Sequence, residues 1–275
     1  MKLGLKFVAL LTMAVAPSCS PEPKQQPPAA LVLQFEAVGA SLTARGERLG
    51  KVLGCTGCHG KDLTGHPWIE DPDLAILFTS NLTRAVPLHS DAELARTIRF
   101  GARPDGSPLW EMPSHIFTDL SDPDMAALIA WLRTLKPAGK DHPRIVIGPG
   151  GRRMIEAGEV RPEPEVVRSN RSKGPAPLDG RHDWARYMIR ATCSECHGIE
   201  LKGDQDPTDG PGTPDLIIAG GYSREEFRHL LRTGEPTGGR TLALMADVAQ
   251  GRFVHLTDRE ADAIYDYLKA RAERP

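Results

Sequence analysis

Aromatic side chains are scarce in this 275-residue chain, at 5% of the total, while 27 Gly and 24 Pro mark it as loop-rich. Few large side chains are therefore on hand to fill a core, and something else must supply apolar bulk. Net charge is nearly absent as well. The formal charge is −2, and removal of a leader containing Lys2 and Lys6 takes it to −4; this mild acidity excludes a strong nucleic-acid footprint and argues against nucleic acid as a partner. Long hydrophobic runs are also missing. The one apolar run near a terminus, Phe7 to Val15, follows two Lys and is too short to span a bilayer, which is the pattern of a signal peptide over residues 1–18. Cysteines number only five, an odd count.

Four of those five occur in one motif, present twice: Cys55-Thr56-Gly57-Cys58-His59 and Cys193-Ser194-Glu195-Cys196-His197. On a short helical turn, thiols three residues apart lie on one side and can bond the two vinyl groups of one haem, and the next His can meet the iron. A redox-active CxxC pair would need neither the trailing His nor the duplication. Half of a zinc site is the other alternative, and two copies of the whole motif favour haem over both. The expected cofactors are therefore two covalently bound haem c groups, which would also fill the core that the aromatics leave short.

The two halves run in step beyond the motif. Ser41 to Gly54 forms a helix ahead of the first, with Leu42, Leu49, Val52 and Leu53 on its apolar side and Gly46 and Gly50 allowing another helix to come close. Asp183 to Thr192 plays the same part ahead of the second. Gly60-Lys61-Asp62-Leu63-Thr64-Gly65 then matches Gly198-Ile199-Glu200-Leu201-Lys202-Gly203. A loop of different length follows in each half, and after it a helix with a capping box, from Ser90 to Gly101 and from Ser223 to Gly234.

Carried forward, that register selects a second iron ligand in each half. Eleven residues after Gly101 stands Met112, and eleven after Gly234 stands Met245. A methionine is a core filler by default. Two at matching positions in two haem repeats read instead as soft thioether ligands, giving His59/Met112 and His197/Met245 coordination. His115, three residues beyond Met112, is the rival ligand worth keeping.

Each half closes on a further helix, from Ser121 to Leu135 and from Thr257 to about Arg271, with apolar stripes that pack on the first helix of the half. Between them, residues 137–182 hold seven Pro and no long helical period, and read as a linker. The short run Arg144 to Ile147 could add a strand. The organisation expected is a leader over 1–18, a tether over 19–37, a domain over 38–136, the linker over 137–182, and a second domain over 183–275.

Ala16-Pro17-Ser18-Cys19 is similar to a lipoprotein processing site, in which Cys19 becomes the lipidated N-terminus; Ala16 and Pro17 depart from the usual pattern. An ordinary cleavage that leaves Cys19 as a free or discarded thiol is the alternative. With lipidation, a Pro-rich tether over Pro21 to Pro28 would hold the chain to a membrane in the periplasm.

Helix, CxxCH, capped middle helix, Met and a C-terminal helix with an aromatic resemble the class I cytochrome c fold, twice over. The first half, with Arg45-Gly46-Glu47-Arg48-Leu49, Ser80-Asn81-Leu82-Thr83, Pro104-Asp105-Gly106 and Met112-Pro113, is similar to haem domains of cytochrome c subunits that serve membrane-bound alcohol and gluconate dehydrogenases. Those subunits typically carry three such domains, and this chain has two. The resemblance implies an all-α architecture of two tandem class I cytochrome c-like domains, each wrapped around one covalent haem and joined by a Pro-rich linker. It also implies that the Pro214 carbonyl bonds the free ring nitrogen of His197, with the Ser80 carbonyl in that place for His59. Arg99 and Arg232, aligned in the repeat, are candidates to pair with haem propionates or else to solvate a helix end.

With both irons six-coordinate there is no open position for a substrate. The expectation is an electron-transfer protein rather than an enzyme, working between a donor dehydrogenase or quinol-linked complex and an acceptor cytochrome or oxidase. A dihaem peroxidase, drawing on Glu111 or His115, is the alternative enzyme; an obligate electron-transfer subunit of a dehydrogenase is the third possibility.

Overall fold

A computed structural model describes residues 32–203, 212–240 and 242–274 of the chain. The leader, most of the tether and Cys19 lie outside the described residues.

Helix α1, Leu42–Val52, starts where the Ser41 hydroxyl accepts the Ala44 N–H. Its Leu49 and Val52, with Leu53 beyond its end, are buried, whereas Leu42 is exposed on the outer side, contrary to the apolar stripe expected. The first-turn position leaves Leu42 clear of the helix that covers the rest. A short turn, α2 (Cys55–Cys58), carries the first motif. Next come two strands, β1 (Pro67–Asp71) and β2 (Ala75–Phe78), the turn α3 (Leu82–Ala85), and α4 (Asp91–Phe100), whose capping box at Ser90 and left-handed Gly101 match the sequence signals. The half ends with α5 (Ser114–Phe117) and α6 (Asp122–Leu132). Helices α1 and α6 cross at close range. A Cβ on Gly46 would lie 1.8 Å from the Ala127 carbonyl oxygen, and one on Gly50 would lie 2.2 Å from the Trp131 ring, so only glycine admits this crossing.

Residues 137–182 are more structured than a linker. Strand β3 (Val146–Ile147) pairs with β2 to complete a small antiparallel sheet of order β1-β2-β3, a feature added to an otherwise helical fold. Helices α7 (Pro149–Ala157) and α8 (Glu163–Ser169) follow. Their prolines, read from sequence as breakers, stand in the first turns, where a missing N–H costs nothing.

The second half contains α9 (Asp183–Thr192), α10 (Ser194–His197) with the second motif, a 3-10 turn over Leu216–Gly221, α11 (Arg224–Thr233), α12 (Ala243–Gly251) and α13 (Asp258–Ala272). The two halves and the segment between them belong to one unit covering Val32–Pro275.

Two acids fasten that unit together. Asp124 and Glu260 hold the same position, third residue of α6 and of α13, and neither has solvent exposure. The segment just before α1 runs between them: the Phe35 N–H donates to Asp124 Oδ2 at 2.8 Å, and the Glu36 N–H donates to Glu260 Oε1 at 2.8 Å. Arg45 pairs with Asp124, and Arg48 donates to Glu260 at 2.8 and 3.0 Å. Glu260 is long enough to reach back and accept the Thr257 N–H at 2.9 Å, completing a capping box. Asp124 is one methylene shorter. There the Tyr187 hydroxyl fills the gap, accepting the Ser121 N–H at 3.1 Å and donating to Asp124 Oδ2 at 2.7 Å.

Candidate functional site

Each attachment turn follows the end of a helix, α1 or α9, and is followed by the same backbone path. Leu63 donates its N–H to the Gly60 carbonyl and Leu201 to that of Gly198; Gly65 donates to the His59 carbonyl and Gly203 to that of His197. Leu63 and Leu201 are both buried and both left-handed, with φ of 60° and 63°. A leucine rarely adopts this conformation, and its recurrence at one register position shows that the surrounding bonds impose it. Gly65 and Gly203 also match. A Cβ there would sit 2.3 Å from the Thr79 carbonyl oxygen in one half and 2.2 Å from the Thr213 carbonyl oxygen in the other.

That close approach delivers a carbonyl to each histidine. His59 Nδ1 lies 2.9 Å from the Ser80 oxygen, and His197 Nδ1 lies 2.9 Å from the Pro214 oxygen. A carbonyl can only accept, so Nδ1 carries the proton and Nε2 keeps its lone pair. Burial lowers the pKa of both imidazoles, which favours this neutral form. Burial also pushes the Cys55 thiol up to about 12 and the Cys193 thiol up to about 11. The chain thus presents protonated thiols and neutral imidazoles at both turns.

In the first half Cys55, Cys58, His59 and Met112 line one cleft. Leu77, Phe78, Leu109 and Phe117 supply apolar walls, and the β1–β2 hairpin, which the sequence reading did not include, covers one side through Trp68, Leu77 and Phe78. The donor set of imidazole and thioether, two thiols at haem spacing and an apolar cleft all fit a haem. In the second half Met245 lies in the first turn of α12, half-buried against the core. Among the described residues no three His, Cys, Asp or Glu side chains are grouped to hold a metal ion, so the two CxxC pairs do not combine into a zinc site.

Several predicted residues sit elsewhere than expected. The Arg99 guanidinium bonds the Leu120 carbonyl at 2.6 Å and Asp122 at 2.8 Å; Arg232 bonds the Phe253 carbonyl at 2.9 Å and Asp258 at 2.9 Å. Each ties the end of a middle helix to the start of the closing helix, a helix-end place like the alternative given for them, and Arg99 is not among the residues lining the first cleft. Arg103 is the arginine that does line it, with Nη1 on the Pro108 carbonyl at 2.8 Å. Its place just before Pro104-Asp105-Gly106 was the available signal. His115, the rival ligand, is held away: buried Glu163 accepts its backbone N–H at 2.7 Å and lies 2.8 Å from its Nδ1. Glu195, inside the second motif, also lines the cleft of the first, so the two attachment turns adjoin.

The family model described as Cytochrome c matches residues 43–136 and 185–272. Among curated proteins, the chain is 24% identical over 270 residues to the gluconate 2-dehydrogenase cytochrome c subunit of Pantoea cypripedii, covering 84% of this chain and 59% of that one. It is 24% identical over 257 residues to the cytochrome c subunit of alcohol dehydrogenase (quinone) from Gluconacetobacter polyoxogenes, covering 81% of this chain and 54% of that one. The same figures hold for the Komagataeibacter europaeus subunit of that name. The chain therefore spans little more than half the length of these relatives.

Proposed function

We infer the function from one premise: the chain belongs to the cytochrome c family, whose model covers two separate stretches of it. It is a dihaem electron-transfer protein and not a catalytic subunit. The haem, when bound, supplies one-electron iron chemistry. The chain's residues do the rest. Cys55 and Cys58 would hold one macrocycle and Cys193 and Cys196 the other, while the Nδ1 bonds of His59 and His197 leave each Nε2 free to ligate the iron. Met112 and Met245 would supply thioether donors to the irons, Arg103 would offer a cation to an acidic edge, and the apolar side chains of the first cleft would pack on the macrocycle.

The observation that carries this reading is the paired 2.9 Å anchoring of both motif histidines by backbone carbonyls at matching positions. The peroxidase alternative is not favoured, because the relatives are by name cytochrome c subunits of dehydrogenases.

Names of the relatives point to subunits of gluconate and quinone alcohol dehydrogenases. By analogy the chain takes electrons from a dehydrogenase or quinol-linked complex and gives them to a cytochrome or oxidase. Its place is the cell envelope, exported by the 1–18 leader and held through a lipidated Cys19. No helix among the described residues is long and apolar enough to cross a membrane. Haem quantification and oxidised and reduced spectra test the reading. Two haems per chain, fully low-spin iron without carbon monoxide binding, and loss of one Met signature in each of Met112→Ala and Met245→Ala are expected. A resting high-spin haem or rapid peroxide turnover would overturn it.

A further inference from the structure

Between the two attachment turns lies an ion pair that no motif announced, a buried arginine on a partly exposed glutamate. Arg252, at the end of α12 in the second half, is only 9% exposed. Its guanidinium crosses to the first half, where Nε donates to the Val52 carbonyl at 3.3 Å and Nη2 to the Leu53 carbonyl at 3.1 Å. These carbonyls end α1, where a cation is favoured by the helix dipole. Nη1 donates at 2.7 Å to Oε2 of Glu195, in the second attachment turn. Gly54, directly before Cys55, makes room for the crossing: a Cβ on it would lie 2.7 Å from the Arg252 Cζ.

We propose that Arg252 and Glu195 form an electrostatic bridge shared by the two haems, which clamps the attachment turns side by side and sets both reduction potentials together. The proposal rests on the dihaem reading above. Adding an electron to a haem adds negative charge, so a buried cation between the two sites favours the reduced form of both and an anion there disfavours it. The two partners therefore act with opposite sign. Removing the cation leaves Glu195 uncompensated and lowers both potentials, while neutralising the anion leaves Arg252 uncompensated and raises both.

The test is redox titration of the full holoprotein, followed by visible absorption, after haem quantification has established two haems per chain. Arg252→Gln should shift both one-electron equilibria toward the oxidised form by on the order of tenfold, about 59 mV each. Arg252→Lys should keep most of the wild-type value, and Glu195→Gln should move both couples upward. Should Arg252→Gln fail to accumulate with two haems, Glu195→Gln decides alone. Movement of one couple only, movement of neither, or a downward shift in Glu195→Gln overturns the proposal. A wild-type protein with fewer than two haems would instead overturn the dihaem reading, a separate outcome.

Discussion

Replacing Glu260 by Ala should cost about 4 kcal/mol of stability. Its carboxylate, wholly buried, accepts from the Glu36 N–H, both terminal nitrogens of Arg48 and the Thr257 N–H. Breaking a buried pair by removing one partner costs roughly 3–5 kcal/mol, because a charge is left in low dielectric. Arg48 retains the His255 carbonyl at 3.0 Å and the Glu36 carbonyl at 2.6 Å, which softens that loss. The orphaned N–H of Glu36 pushes the other way, at about 1–3 kcal/mol for an unsatisfied buried donor. A net near 4 kcal/mol is the balance, and at about 2–4 °C per kcal/mol for a chain of this size the melting temperature should fall by about 8–16 °C. Far-ultraviolet circular dichroism of the holoprotein on heating measures it. Pairing Arg48→Met with Glu260→Met should recover much of the loss by removing both charges. A drop under about 2 °C for Glu260→Ala, or a double variant worse than the single, would refute the assignment of the seam to this pair.

The mismatch at Asp124 yields a second expectation. Tyr187→Phe removes the hydroxyl that links the Ser121 N–H to Asp124 and should destabilise by about 1–2 kcal/mol; adding Asp124→Glu, which restores the reach of a capping box, should return part of it in the same melts. A third concerns acid. Glu36 is held below its ordinary value of 4.5, chiefly by the Thr257 hydroxyl and then by Arg259. A carboxylate depressed by folding stabilises above its unfolded pKa and loses that contribution as pH falls through the folded one. The melting-temperature gap between wild type and Glu36→Gln should therefore be widest near neutrality and close below pH 4.5. A gap that is unchanged or widens on acidification would contradict this.

Local rules made much of the fold readable. Ser90, Ser223 and Thr257 announce helices through bonds to residues three positions away, and all three boxes form. Gly46 and Gly50 announce a close crossing because four-residue spacing puts both on one helix face. The Leu63 and Leu201 loops were legible through duplication, since matching residues took matching backbone paths. What escaped depends on distant partners. The β1–β2 hairpin is a five-residue and a four-residue strand, too short for period to declare, and it gains β3 from some 70 residues away. Helix α8 is short and leans on the contact of Glu163 with His115. Arg99 and Arg232 were correctly seen as equivalent, but which anion each would meet is a matter of tertiary geometry. Arg252 belongs to no repeat and no motif, and only the packed structure brings it between the cysteines.

The seam through Phe35 and Glu36 also orders events in time. Glu36 and Glu260 are 224 positions apart, so their bond forms only after nearly the whole chain has been delivered. Contacts of such long sequence separation are slow to close. The first CxxCH turn emerges far earlier, while α13, which bears Glu260, is still missing. Both motifs are consequently reachable by the attachment machinery before the halves lock. Closure of the seam therefore joins residues that flank both motifs, and it follows the delivery of each.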